Sequence, residues 1–404
     1  MPARSHVSLG TILKHFRRVA RHPWIARRLA ALETEKWLFP LFHPRAKAGE
    51  GGRIHQVSLR ITDLCNLRCH TCGQWGVQGY LRGKNLAALK AQEVSPERYR
   101  EIFADLVRHG QRPMVYFWGG EPMLYKGIME LMEEAARLRM PVSIATNGTL
   151  VAARAERLVA APLFLVQISI DGPTAEIHNR LRPGAGGGNN FADIQAALAA
   201  LQQARREQHR ELPLIASLTV ISRDNADSLV EIYETFAPQV DLFVFYLSWW
   251  IDEEAARAHD RDFTARFGFA PKLHWGWLGS WCPEDYEALS RELTNLLERS
   301  RPWHRPPVIL IPPLTRPEDL HRYFTDHSAR FGYDQCVSIF QVTEVDSNGD
   351  VSPCRDYHDY IVGNIKENTL TELWNSPAYR RFRQSLATQG LMPVCSRCCG
   401  LMGY

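Results

Sequence analysis

The chain has 404 residues, of which 45% are hydrophobic and 23% are charged, a composition typical of a globular protein with one large domain or two to three smaller ones. The formal net charge is +4, but residues 1–53 carry eleven Lys and Arg against three Asp and Glu, so the rest of the chain carries 4 − 8 = −4. This slightly acidic body argues against a nucleic-acid-binding protein, which should show a basic face somewhere in its fold.

Neither a membrane span nor a signal peptide is predicted. No apolar run approaches the roughly 20 residues that cross a bilayer, and the N-terminus lacks a continuous apolar stretch. We therefore expect a cytoplasmic protein, in which thiols stay reduced and clustered cysteines indicate metal binding or catalysis.

Residues 1–54 form a basic segment that we expect to be helical. Apolar residues recur at helical spacing within 11–32, with a break near Pro23, and arginines occupy the other face. The simpler interpretation is a pair of helices packed on the body. A peripheral contact with an anionic membrane or a partner is the alternative.

Residues 55–248 alternate between strand and helix patterns. Helical stretches such as 97–110, which Ser95 and Pro96 are expected to start, separate apolar β-branched runs. Such alternation predicts an α/β fold with a parallel sheet, either open or closed into a barrel. The predicted strands are 57–61, 114–117, 142–145, 164–170, 214–220 and 242–247.

Unusual polar and glycine motifs follow these strands. CNLRCHTC (65–72), WGGEP (118–122) and TNG (146–148) follow the first three, and SIDG (169–172) ends the fourth. Because the carboxyl ends of parallel strands meet at one edge of a sheet, we expect these motifs to form one site. Residues 249–334 then break the alternation with six of the eleven tryptophans, which indicates either a packed aromatic subdomain or a lid over a substrate.

Eight of the nine cysteines form two groups. The first cysteine group is Cys65, Cys69 and Cys72. A structural zinc ion needs four protein ligands, and a 4Fe–4S cluster normally has four thiolates. Three thiolates would leave one iron open to a small molecule.

The first cysteine group after the first strand, with GGEP, NG and SID on later strands, resembles the radical S-adenosylmethionine (SAM) superfamily. The resemblance implies a partial (β/α)6 barrel and a 4Fe–4S cluster whose fourth iron binds SAM. It implies reductive cleavage of SAM to a 5′-deoxyadenosyl radical that abstracts hydrogen from a substrate, and a reductant such as flavodoxin or ferredoxin. Thr71 departs from the family, in which an aromatic residue usually precedes the third cysteine.

The same resemblance assigns contacts to SAM. The two glycines of GGEP let the backbone approach the methionyl amine, and the glutamate accepts from it. The asparagine of TNG and the serine of SID fall where the family contacts ribose or methionyl groups, and an arginine matches a position that pairs with the SAM carboxylate. These residues are Gly119, Gly120, Glu121, Asn147, Ser169 and Arg182.

Residues 335–404 resemble the C-terminal auxiliary-cluster domains called SPASM or, when shortened, twitch. Gly349 precedes Cys354 by five positions, and a Cys-x-x-Cys pair follows near the end of the sequence. The resemblance implies one fully ligated auxiliary 4Fe–4S cluster for electron transfer, and a structural zinc is the alternative. Cys399 could replace Cys398 or be free. The second cysteine group, expected to ligate this cluster, is Cys336, Cys354, Cys395 and Cys398.

The sequence leaves the substrate and the redox outcome open. A sugar, nucleoside or lipid-linked small molecule is favoured over a ribosomal peptide, because residues 1–53 lack the short strands of a winged-helix leader-binding domain. Oxidation, epimerisation and bond formation compete, and Cys282 is the candidate hydrogen donor for epimerisation, with a small buried side chain as the alternative. A non-enzymatic electron carrier with two clusters would need no SAM pocket.

Overall fold

The computed structural model describes residues 38–161 and 163–402, together with Arg27, Ala30, Ala31, Thr34 and Glu35. The helices predicted within 11–32, and the membrane contact suggested for them, lie almost entirely outside the described residues. In the described part of the chain, no helix combines the length and apolarity required to span a bilayer.

The strands of the described residues form one sheet around which the molecule is built. They are β1 (Gln56–Thr62), β2 (Met114–Gly119), β3 (Val142–Thr146), β4 (Leu165–Ser169), β5 (Leu214–Ile221), β6 (Leu242–Leu247), β7 (Val308–Ile311), β8 (Val342–Val345), β9 (Asp350–Ser352) and β10 (Gly363–Asn364). Their order is β10-β9-β8-β1-β2-β3-β4-β5-β6-β7. All pairs from β8 across to β7 are parallel, and β9 pairs antiparallel with both β8 and β10.

Helices connect the parallel strands and cover one face of the sheet. Ser95 caps the predicted helix, since its Oγ accepts from the backbone N–H of Arg98 at 3.3 Å. The helices are α1 (Phe39–Phe42), α2 (Leu86–Gln92), α3 (Pro96–Arg108), α4 (Ile128–Arg137), α5 (Ala155–Ala160), α6 (Ala175–Leu181), α7 (Asn190–Glu207), α8 (Leu229–Phe236), α9 (Glu253–Phe267), α10 (Tyr286–Arg299), α11 (Pro317–Thr325), α12 (Leu370–Leu373), α13 (Pro377–Gln389) and α14 (Cys399–Met402).

The predicted parallel α/β fold is confirmed, with its six strands as β1–β6. The structure adds a seventh parallel strand, since β7 of the Trp-rich region pairs with β6. At the other edge, β8 of the C-terminal region pairs with β1, and Glu344 lies opposite Ser58. The barrel and the auxiliary-cluster region therefore share one continuous sheet.

The uncovered face of the sheet remains partly accessible. In β4, Val166 and Ile168 are buried beneath helices, whereas Gln167 and Ser169 on the other face are half-buried. Strand register places Tyr116 of β2 and Tyr246 of β6 on the same face as Gln167. We call this surface the inner face, and we refer to the space beside it as the cleft.

Two buried histidines pack against each other within the Trp-rich region, one on α9 and one in the turn at 273–277. The ring centroids of His259 and His274 lie 4.8 Å apart, and both side chains are fully buried. Burial, with the neighbouring His274, lowers the pKa of His259 to about 3. In the unfolded chain an ordinary histidine binds a proton below about pH 6.5. The free energy of unfolding must therefore fall as the pH is lowered through this window.

We expect His259 alone to lower the free energy of unfolding by about 2 kcal/mol between pH 7 and pH 5. Urea titrations at each pH measure the loss. The variant His259→Phe, which suits a site packed against Phe263 and Tyr357, should show a shallower pH dependence. Replacement of the exposed His304 by glutamine should leave the pH dependence of the unfolding free energy unchanged. An identical slope in all three proteins would contradict the assignment.

Candidate active site

The first cysteine group lies in the loop that follows β1. All three side chains are half-buried, and each sulfur accepts a hydrogen bond. The donors are the backbone N–H groups of Leu67, to Cys65 at 3.4 Å, and of Trp75, to Cys72 at 3.4 Å, and Nη1 of Arg182, to Cys69 at 3.6 Å. Donors of this kind stabilise negative charge on sulfur and are typical of the surroundings of iron–sulfur ligands.

Burial favours the protonated form of Cys65 and Cys69. It raises the pKa of Cys65 to about 12 and, despite the charge of Arg182, that of Cys69 to about 11. Metal binding must therefore displace their protons. No group of three or more His, Cys, Asp or Glu side chains within the described residues is set to hold a single metal ion. Three sulfur atoms, each of which accepts a hydrogen bond from an N–H group, are suitable ligands for an iron–sulfur cluster.

The glycines of GGEP pack against the base of this loop. A Cβ atom at Gly119 would lie 2.6 Å from the carbonyl oxygen of Thr62, and one at Gly120 would lie 2.1 Å from that of Leu64. The backbone N–H of Gly120 donates to Thr62 at 2.8 Å. These glycines therefore allow β2 to approach the chain just before Cys65, and their predicted contact with the SAM amine stays a prediction.

Glu121 is buried within its own turn. Its carboxylate accepts from the backbone N–H of Met123 at 3.0 Å, from Thr146 Oγ1 at 2.7 Å and from the backbone N–H of Asn147 at 2.7 Å. The residue is fully buried, and burial raises its pKa. Glu121 therefore joins the ends of β2 and β3, leaving little of the carboxylate to accept a hydrogen bond from SAM.

Asn147 connects the end of β3 to the cysteine loop through hydrogen bonds. Its side-chain amide donates to Asn66 Oδ1 at 2.8 Å, and Asn66 donates in turn to Thr149 Oγ1 at 2.9 Å. Asn66 lies directly after Cys65 and was not identified from the sequence, although the asparagine inside the cysteine motif was the available signal. The pair fixes the first cysteine group against the end of β3.

Arg182 forms an ion pair beside the same loop. Its Nε lies 2.7 Å from Asp171 Oδ2, and Asp171 also accepts from the backbone N–H of Val220 at 2.9 Å. Both side chains are largely buried. Arg182 therefore presents its second nitrogen to Cys69. Ser169, two residues before Asp171, is half-buried on the inner face.

The side chains of the second cysteine group lie close together. Cys354 is within electrostatic range of Cys395 and Cys336, and Cys398 of Cys354 and Cys395. Burial raises the pKa of Cys336 to about 11 and that of Cys395 to about 12. Three buried thiols and the half-buried thiol of Cys336, brought together from distant parts of the chain, fit a fully ligated cluster.

Cys399 has different surroundings. Its backbone N–H donates to Asp356 Oδ2 at 2.9 Å, and its thiol donates to Asp356 Oδ1 at 3.2 Å. It lies within electrostatic range of Tyr116 and Tyr246 on the inner face. The structure thus groups Cys398 with the other buried thiols and turns Cys399 toward the cleft.

Cys282 is not brought together with these residues. It is exposed and interacts with Tyr286 in the first turn of α10. The alternative of a small buried side chain is therefore wrong. Its predicted role as a hydrogen donor gains no support from this position, and Cys399 is the thiol that faces the cleft.

Charged side chains of both signs meet at the inner face. The guanidinium of Arg355 lies 5.2 Å from the ring centroid of Tyr116 and within electrostatic range of Glu344 and Asp356. Glu344 is buried, and burial raises its pKa to about 7. None of these residues was identified as a site residue from the sequence, because strand register alone brings β8 beside β1.

An aromatic wall links the inner face to the first cysteine group. Trp249 lies 5.0 Å from Tyr246 and 6.1 Å from Trp277, measured between ring centroids. Trp277 packs against Gly73, where a Cβ atom would lie 2.4 Å from its ring. The Trp-rich region therefore borders the cleft and contacts the residue that follows Cys72.

Two family profiles match this chain. That of the radical SAM superfamily matches residues 59–236, and that of an iron–sulfur cluster-binding domain, SPASM, matches residues 336–399. Together they contain both cysteine groups. Cys282 falls between them.

Several known proteins are similar to the chain over most of its length. The AdoMet-dependent heme synthase of Methanosarcina barkeri is 24% identical, covering 84% of this chain and 87% of that protein. The cysteine-type anaerobic sulfatase-maturating enzyme of Clostridium novyi is 24% identical, covering 80% and 79%. The structure of Streptococcus suis SuiB bound to its precursor peptide SuiA has a TM-score of 0.56 at 14% identity, covering 90% and 76%.

Proposed function

The chain belongs to the radical SAM superfamily and carries a C-terminal SPASM domain, and from this we propose that it is an enzyme that modifies a peptide or protein segment bound against the inner face. Its cofactors are SAM, the 4Fe–4S cluster that binds SAM, and auxiliary iron–sulfur chemistry in the SPASM domain. When bound, SAM and its cluster supply a 5′-deoxyadenosyl radical that abstracts hydrogen from the substrate.

We assign a separate role to each group of residues in the site. The first cysteine group would hold the SAM-binding cluster, and the second would hold the auxiliary cluster. Glu121 and Asn147 would position the cysteine loop through their hydrogen bonds. Ser169 would face SAM from the inner face.

Aromatic and charged side chains around the inner face carry the proposal of a peptide substrate. Trp118 lies on the inner face of β2, and Trp277 lies in the aromatic wall. Both indole N–H groups are buried and have no acceptor among the described residues, so these rings would offer a substrate apolar contact and no hydrogen bond. Arg355 and Asp356 add charges of both signs, which suits a chain of alternating donors and acceptors.

The similarity to known proteins favours the same choice. The sequence favoured a small-molecule substrate, whereas one relative is named as a sulfatase-maturating enzyme, and SuiB, whose fold is similar, has been solved bound to a precursor peptide. The relative named as a heme synthase keeps a small molecule as the second candidate.

The substrate class can be tested without knowing the substrate. Reconstituted holoenzyme is given SAM, dithionite and desalted extract of the producing organism, and 5′-deoxyadenosine is quantified. We expect the extract to stimulate its formation. Extract digested with proteinase K, followed by inhibition of the protease, should not stimulate it.

The outcomes separate the candidates. Stimulation that survives complete digestion would contradict a peptide substrate and favour a small molecule. The mass of the modified peptide then identifies the reaction: oxidation removes a pair of hydrogen atoms, whereas epimerisation in deuterated water incorporates solvent deuterium. Absence of 5′-deoxyadenosine under every condition would contradict the enzyme itself.

A further inference from the structure

The segment around the first cysteine group carries a local charge unlike that of the body. Residues 64–92 contain no Asp or Glu. The same stretch contains Arg68, Arg82, Lys84 and Lys90, although residues 54–404 have a net charge of −4. The positive charge is therefore concentrated beside the SAM-binding site.

Three of these cations, Arg68, Arg82 and Lys84, line a groove of about 490 Å³ beside the cysteine loop, whereas Lys90 forms an ion pair with Glu93. Its lining also includes two exposed apolar side chains, Val77 at 66% and Leu86 at 49% exposure. Apolar residues within a charged rim are typical of a protein-docking surface. We call this groove the cluster-loop groove; its charged members are Arg68, His70, Arg82 and Lys84.

The groove is in direct contact with the cysteine loop. Arg68 Nη1 donates to the carbonyl oxygen of Cys65 at 2.9 Å, and its guanidinium lies 4.2 Å from the ring centroid of Trp75. The backbone N–H of Trp75 donates to the sulfur of Cys72. A protein seated in the groove would therefore contact residues that themselves hydrogen-bond Cys65 and Cys72.

We propose that the cluster-loop groove is the docking surface for an acidic one-electron carrier protein of the flavodoxin or ferredoxin class. The docked carrier gives one electron to the cluster at the first cysteine group and is itself oxidised by one electron, and no bond forms or breaks. Charge complementarity favours this partner, since a positive surface attracts an acidic one and speeds its association. The proposal rests on family membership and is independent of the substrate class.

The test compares a protein donor with a small one. In the holoenzyme, Arg82→Glu/Lys84→Glu is expected to raise the KM for reduced flavodoxin about tenfold or more, measured as 5′-deoxyadenosine formation without added substrate. With dithionite as reductant, the rate should stay within about twofold of the wild type, because a small molecule needs no docking surface. The affinity for oxidised flavodoxin, from titration calorimetry, should fall in parallel.

Two further variants keep the result interpretable. Lys84→Glu alone changes one exposed side chain and should show a smaller shift in the same direction. Arg206→Glu/Arg261→Glu reverses two exposed arginines on α7 and α9 and should bind flavodoxin like the wild type. Salt should weaken binding by the wild type more than by the groove variant, because surface charges are screened beyond roughly 10 Å at 0.1 M ionic strength.

An unchanged flavodoxin affinity in the groove variant would overturn the proposal. An equal loss of activity with flavodoxin and with dithionite would also overturn it, because the substitutions would then have damaged the cluster site itself. Normal flavodoxin binding with impaired peptide turnover would assign the groove to the substrate. If the extract assay shows no peptide-dependent stimulation of 5′-deoxyadenosine formation, the flavodoxin comparison still holds, because it is made without added substrate.

Discussion

Replacement of Cys69 by alanine is expected to abolish 5′-deoxyadenosine formation and to lower the iron content from about eight to about four atoms per chain. The remaining two thiols of the first cysteine group cannot hold a cluster that needs three. The charge of Arg182, now directed at Cys69 from 3.6 Å, would lose its partner sulfur. Iron and sulfide analysis and chromatography of the SAM products measure both effects.

Other cysteines provide matched controls. Cys395→Ala should also lower the iron content to about four, while slow dithionite-driven cleavage of SAM continues. Cys282→Ala should retain about eight irons and full cleavage, because that side chain is exposed and lies beside Tyr286. A Cys69→Ala protein that still contains eight irons would show that the first cysteine group is not the ligand set.

Replacement of Arg60 by leucine should cost about 3–5 kcal/mol of unfolding free energy. Its Nε lies 3.2 Å from Asp63 Oδ1, Nη2 lies 3.1 Å from Asp346 Oδ2, and Nη1 donates to Tyr80 Oη at 2.5 Å. Although burial alone would raise it, the charges of Arg60 and His358 hold the pKa of Asp346 below its usual value. Without Arg60, the buried carboxylates of Asp63 and Asp346 would lose the guanidinium that both contact.

Urea unfolding of the variant measures this cost. Arg157→Leu, which breaks an exposed ion pair with Glu130 and Glu133, should cost at most about 1 kcal/mol. Adding Asp346→Asn to Arg60→Leu should recover part of the loss, as expected for interacting partners. A loss from Arg60→Leu no larger than that of the exposed control would contradict this account.

The sequence predicts those parts of the fold that have a local signal. Strands β1–β6 are apolar β-branched runs separated by helical periodicity, so composition alone locates them. The four-residue strand β7 was missed because VILI is short, lies in a Trp-rich region and is flanked by proline pairs at 306–307 and 312–313. The parallel pairing of β8 with β1 has no local signal, since it depends on tertiary structure.

The candidate site, like the fold, could be predicted only where the sequence carries a local signal. The cysteine spacing and the motifs at strand ends indicated the residues that meet at one edge, and the structure brings them together there. Spacing could not show that Glu121 and Asn147 hydrogen-bond mainly to the protein, because those contacts depend on Thr146 and Asn66. Nor could it distinguish Cys399 from Cys398, adjacent residues whose directions are set by the turn before α14.

The shared sheet has a consequence for how the protein is made. During synthesis, β1 emerges early and can pair with β2, but its other edge waits for β8, which lies near the end of the chain. Contacts this distant in sequence form slowly, and an unpaired strand edge invites pairing with another chain. We therefore expect a nascent or truncated chain that ends before residue 342 to aggregate. The C-terminal region would prevent this by pairing β8 with the open edge of β1.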